Sequence, residues 1–140
     1  MSVAETLEAE DVSCADTRSA VRSVLLEACF ALPPHEATRL RDDALLVVSE
    51  LTTNALLHAG GVTRFTACLT GGELQLRVSD RSVEVPRRLP TVPGRPGGYG
   101  WMVVQRLASR VSVEVGPEGK TIVAALALPG PLTRPSSTGM

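Results

Sequence analysis

The 140-residue chain has the length of one domain, and a hydrophobic fraction of 44% supplies one real core without a second. Aromatic residues make up only 3%, so the core must come from Leu, Val and Ala, and binding by stacking on an aromatic platform is disfavoured. The net charge of −1 hides an asymmetry: residues 1–16 hold five acids and no base, whereas Arg81 to Gly98 holds four arginines against Glu84 alone, unlike the uniform basic footprint of a nucleic-acid binder.

Cys14, Cys29 and Cys68 are odd in number, widely spaced and free of any C-x-x-C pair, which reads as reduced thiols. The opening MSVAETLEAED has neither a basic n-region nor an apolar h-region, and no run approaches the roughly 18 apolar residues of a membrane span. A soluble cytoplasmic protein without a membrane partner is expected.

In chain order, residues 1–14 read as a flexible acidic arm with room for a short edge strand, 15–128 as one folded domain and 129–140, rich in Pro, Ser, Thr and Gly, as a disordered tail. From Asp16 as N-cap, a first helix places Ala20 or Val21, Val24, Leu25, Ala28 and Leu32 on one face until Pro33-Pro34 stops it. Arg18 and Arg22 form a basic pair on the other side, either a solvated face or a partner contact.

A long second helix begins near His35 or Glu36 and runs to Ala59. It carries Glu50, Asn54 and His58 at intervals of four, and residues four apart share a helix face, so the three form one polar ridge. Leu45, Val47, Val48, Leu51, Ala55 and Leu56 take most of the remaining circumference, so the helix should be largely buried. A carboxylate and an amide oxygen one turn apart can hold Mg²⁺ or order a water, because hard cations take oxygen ligands. The same spacing also suits a helix edge whose polar tips simply reach solvent.

Two strands follow, Val62 to Leu69 and Glu73 to Ser79, joined by the turn signal Thr70-Gly71-Gly72, and the second delivers Asp80 to a strand end. Arg81 to Gly98, with four prolines and three glycines, exceeds the usual connection length and reads as a functional lid. Gly97-Gly98-Tyr99-Gly100 opens a third helix with Val103, Val104, Leu107 and Ala108 inward; such a run is a turn or a backbone cradle for an anion. A last hairpin, Val111 to Val115 and Lys120 to Leu128, turns at Gly116-Pro117-Glu118-Gly119. The sum is an α+β two-layer sandwich: a mixed, mostly antiparallel four-stranded sheet with about three helices on one face.

The ridge sentence E-L-x-x-N-A-x-x-H-A, followed by Val78-Ser79-Asp80, Gly97 to Gly100 and Gly119-Lys120-Thr121 in that order, resembles the GHKL (Bergerat-fold) ATPase and kinase superfamily. Over about Asp16 to Leu128 the chain is similar to its small stand-alone members, the anti-sigma-factor serine/threonine kinases of actinobacterial type. The resemblance implies ATP and Mg²⁺ as cofactors, with Asn54 on the metal and Glu50 as the catalytic base or water-orienting carboxylate. It implies Asp80 on the adenine amino group, Gly97, Gly98 and Gly100 around the phosphates, and Thr121 supporting Asp80 and the adenine. Ser82 and His58 would complete the nucleotide site. The usual D-x-G-x-G continuation is absent, since Asp80 is followed by Arg81-Ser82-Val83-Glu84-Val85-Pro86.

Two functions follow from that resemblance. One is a protein kinase that phosphorylates an anti-anti-sigma antagonist of STAS type and binds a sigma factor, with a homodimer as a further option. The other is a non-catalytic nucleotide-binding or partner-binding module of the same fold.

Overall fold

The computed structural model describes residues 2–8, 12–84 and 100–129. Most of the expected lid, including Gly97 and Gly98, and the tail beyond Pro129 lie outside the described residues. The elements run β1 (Ser2–Leu7), α1 (Cys14–Phe30), α2 (Pro34–His58), β2 (Val62–Thr70), β3 (Glu73–Asp80), α3 (Gly100–Leu107), β4 (Arg110–Gly116) and β5 (Gly119–Ala127).

The strands make one five-stranded sheet in the order β1-β2-β3-β5-β4, with every neighbouring pair antiparallel. The expected four-stranded mixed sheet is thereby corrected: the acidic N-terminal stretch adds an edge strand, registered from Ser2 against Thr70 to Leu7 against Phe65. Its Val3 and Leu7 supply two apolar contacts to the core, too sparse a pattern to announce a strand among glutamates. β3 shows the layering most clearly, since Leu74, Leu76, Val78 and Asp80 are buried while Glu73, Gln75, Arg77 and Ser79 are half-exposed. The helices cover the buried face, α1 over β1 and β2, α2 over the middle of the sheet and α3 over β4.

α1 begins three residues earlier than expected because Ser13, not Asp16, is the N-cap. The Ser13 side chain accepts from the Asp16 amide at 3.1 Å and the Asp16 carboxylate accepts from the Ser13 amide at 3.0 Å, so each satisfies a donor the helix leaves open. In α2, Pro34 occupies the first turn, where its missing N–H costs nothing. Thr17 and Thr52 meet in the buried seam between α1 and α2 at 3.0 Å, and Arg18 donates to Ser49 at 2.9 Å. Arg18 is therefore a helix-to-helix contact, while Arg22 faces solvent.

The core is aliphatic around one phenylalanine, Phe65, with Val47, Val48 and Leu51 of α2 fully enclosed. The α2 circumference is less buried than the pattern suggests, because Leu56 is 47% and Leu57 71% exposed as the helix runs past the sheet edge. No helix among the described residues is long and apolar enough to cross a membrane. Cys14, Cys29 and Cys68 are all free.

Candidate functional site

α2 ends where the sheet begins, and that junction assembles the site. Gly60 and Gly61 take positive φ (77° and 110°), which lets the chain reverse while the Gly61 amide donates to the Ala55 carbonyl at 2.8 Å. Val62, four residues after His58, then stands in register with Asp80 at the end of β3, and Asp80 in turn faces Lys120 on β5. The C-terminal half of α2 and the last residues of β3 thus belong to one end of the molecule.

Along the α2 ridge, Glu50 and Asn54 are half-buried and His58 is exposed. Glu50 meets the start of α3: a Cβ added to Gly100 would land on Glu50 Oε1, so glycine is what lets the Glu50 carboxylate sit against the first residue of the helix. The carboxylate lies at the positive end of the α3 dipole, a favourable place for an anion. Glu50 of the α2 ridge and Gly100, read from separate stretches of the sequence, are brought together, with Asn54 one turn further along the ridge. His58 sits at the exposed end of the ridge, and the structure gives it no hydrogen-bond partner among the described residues.

Asp80 is the buried polar residue of this end. Its Oδ1 accepts the Ser82 amide at 2.9 Å, a local turn in which the backbone N–H two residues on holds the carboxylate whatever side chain follows. Ser82 contributes its amide to Asp80 and accepts at Oγ from the Glu84 amide at 3.1 Å.

Thr121 does not support Asp80. Its hydroxyl is 2.7 Å from that of Ser79, on the opposite face of the sheet, where both line a pocket of about 350 Å³ with Thr6, Arg64, Thr66 and Arg77. Residues alternate faces along a strand, and the register sets Ser79 against Thr121 and Asp80 against Lys120. The expected role falls instead to the neighbouring position. Lys120 Nζ lies 3.0 Å from Asp80 Oδ1, with side chains 5% and 2% exposed respectively.

Sequence reasoning included Gly119 and Lys120 in the motif Gly119-Lys120-Thr121 but gave a role to Thr121 alone. The available signal was a lone lysine opening a strand that otherwise reads Ile122-Val123-Ala124-Ala125-Leu126. Gly119 has φ 146°, and a Cβ there would overlap the Asp80 carbonyl, so glycine is what allows the β4–β5 turn to reach the end of β3. A pocket of about 810 Å³ opens at this end of the sheet, lined by Asp80 and Lys120 together with Ser79, Glu114 and Thr121 of the other face and by the β4–β5 turn, with no residue of α2 or α3 in its wall. A larger one, about 1100 Å³, lies at the other end of α2 around Leu32, Arg39, Leu40, Arg106 and Leu128, away from every predicted site residue.

The donor set fits a magnesium nucleotide. Among the described residues no three His, Cys, Asp or Glu side chains converge as a self-sufficient metal site. Mg²⁺ needs no such cage, since it is commonly held by one or two protein oxygens together with the phosphates of its nucleotide. Glu50 and Asn54 offer that many.

The fold matches the crystal structure of the RsbU and RsbW domains of Rv1364c from Mycobacterium tuberculosis, with a TM-score of 0.57 and 22% identity. The match covers 91% of this chain and 32% of that one, so the chain spans about a third of the length of its structural neighbour. No curated protein matches the chain. The family model of the histidine kinase-like ATPase domain matches residues 7–126, which takes in the three helices α1–α3 and strands β2–β5 short of Ala127, with β1 outside it but for Leu7. With that match over most of its length, the chain belongs to the histidine kinase-like ATPase domain family.

Proposed function

We propose that the protein binds ATP with Mg²⁺ and acts as a serine/threonine kinase on a protein partner, as the anti-sigma-factor kinases that its sequence resembles do. The observation that carries this reading is the placement of Glu50 against the first residue of α3, with Asn54 one turn further along the same ridge. Phosphoryl transfer needs positioning and charge neutralisation more than covalent chemistry. Asn54 would hold the metal, which when bound would supply neutralisation of phosphate charge. Glu50 takes the proton of the attacking serine hydroxyl as that oxygen bonds to the γ-phosphorus and the bond to the leaving ADP oxygen breaks. Asp80 receives the adenine amino group, and Gly100 keeps the approach to Glu50 open. His58, at the exposed end of the ridge, serves the phosphate region, and Gly97 and Gly98 continue the backbone cradle before α3. The partners in this reading are a STAS-type antagonist as substrate and a sigma factor as the protein held when the antagonist is absent.

A non-catalytic module of the same fold is the second reading. In its favour, the glycines that usually follow the Asp80 position are replaced by bulkier residues, and Asp80 is already engaged by Lys120. One experiment separates the two: radiolabelled phosphotransfer from ATP to candidate antagonists, run beside a nucleotide titration. Glu50→Gln keeps shape but removes the base, so transfer should fall about 10²-fold or more while nucleotide affinity is retained. Equal rates for the two proteins would remove the catalytic assignment, and no transfer by the wild type to any antagonist would favour the module.

A further inference from the structure

Lys120 and Asp80 form a buried rung whose bonding capacity is only partly used. Asp80 Oδ1 has two donors, the Ser82 amide at 2.9 Å and Lys120 Nζ at 3.0 Å. The second oxygen, Oδ2, has no hydrogen-bond partner among the described residues. An ammonium carries three N–H donors. One goes to Asp80 and a second reaches toward the Ser82 carbonyl at 3.5 Å, which leaves the third without a partner among the described residues. An acceptor and a donor therefore stand side by side. Although nearly enclosed, both residues contribute to the wall of the pocket of about 810 Å³ that opens at the end of the sheet beside the β4–β5 turn.

Resting on the nucleotide reading above, we propose that Lys120 is a base-reading residue: Asp80 accepts from the adenine amino group while the Lys120 ammonium donates to the adjacent ring nitrogen N1. The Watson–Crick edge of adenine presents a donor beside an acceptor, the complement of the Asp80–Lys120 pair. A base that instead pushed Lys120 off Asp80 would leave a buried ammonium unpaired, which is strongly unfavourable. Binding that keeps the ion pair and adds one bond to each partner satisfies all the groups. Lys120 also tethers the start of the segment after β3 through the Ser82 carbonyl, so a purely structural clip is the competing role.

The test is calorimetric titration of the full chain, with Mg²⁺ present, by ATP and by 1-deaza-ATP, in which a C–H replaces N1. The wild type should bind ATP at least about tenfold more tightly, because hydrogen bonds to a charged group are the stronger class. Lys120→Met should lose most of that preference, and Lys120→Arg, which keeps a charged donor, should retain part of it. Equal affinities in the wild type overturn the proposal without any variant. A preference unchanged in Lys120→Met reduces Lys120 to a clip, and ATP binding that tightens in that variant makes Lys120 an obstruction to the base. If the wild type binds neither nucleotide, the parent reading fails and the base-reading role with it.

Discussion

Gly119→Ala gives the sharpest test of how the site end is built. At φ 146° a non-glycine residue occupies a backbone region that costs about 1–3 kcal/mol. The added methyl also overlaps the Asp80 carbonyl and crowds the Arg81 Cα, both backbone atoms that cannot rotate away, and forced displacement of that kind costs a further ~1–3 kcal/mol. The sum, about 2–6 kcal/mol, falls on the rung that holds Asp80 against Lys120. The control is Gly71→Ala: its φ of 59° is also left-handed, but nothing lies within 4 Å of the added atom, so only the backbone term of about 1–2 kcal/mol applies. The overlap of about 1–3 kcal/mol is what differs between the two, so at roughly 3–5 °C per kcal/mol for a chain of this size Gly119→Ala should melt about 3–15 °C below Gly71→Ala. Thermal unfolding followed by circular dichroism measures both. Equal melting temperatures would mean that the close approach of the β4–β5 turn to Asp80 is not what glycine serves at this position.

Gly100→Ala should leave melting nearly unchanged, because Glu50 can swing aside, yet phosphotransfer should drop by at least about tenfold, since positioning errors near 1 Å are costly in catalysis; a full rate would separate Glu50 from the start of α3. Asn54→Ala should weaken nucleotide binding in Mg²⁺ and leave binding in EDTA unchanged, and an unaltered Mg²⁺ dependence would make Asn54 structural. The Arg110 guanidinium, bonded to both oxygens of Glu73 at 3.0 and 2.7 Å, holds the Glu73 carboxyl below its ordinary value of 4.5, with Gln75 adding a second bond. A depressed carboxyl contributes stability above its unfolded value that is lost as pH falls through the folded one. The gap in melting temperature between wild type and Glu73→Gln should therefore be flat above about pH 5 and close below pH 4; a gap that persists at pH 3 would assign it to something other than this charge.

Much of this architecture was readable from local chemistry. The α2 ridge follows from a 3.6-residue period sustained over many turns, and the two hairpins follow from glycine-marked turns between alternating strands. Glu50, Asn54 and Asp80 were placed on their elements because each sits on a strongly patterned segment. The N-terminal strand is legible only as an option within an acidic arm, because two apolar side chains among acids do not make a period and a strand of that kind exists only by pairing with β2. Assigning Thr121 to Asp80 failed for a different reason. Local pattern shows that residues alternate across a strand, but which of two neighbours faces a given residue depends on the register between β3 and β5, and a shift of one position exchanges the faces. Only the folded sheet decides that Lys120 meets Asp80 while Thr121 turns to Ser79. The contact of Glu50 with Gly100, fifty residues later in the chain, is likewise a product of α2 packing on α3, which no local propensity encodes.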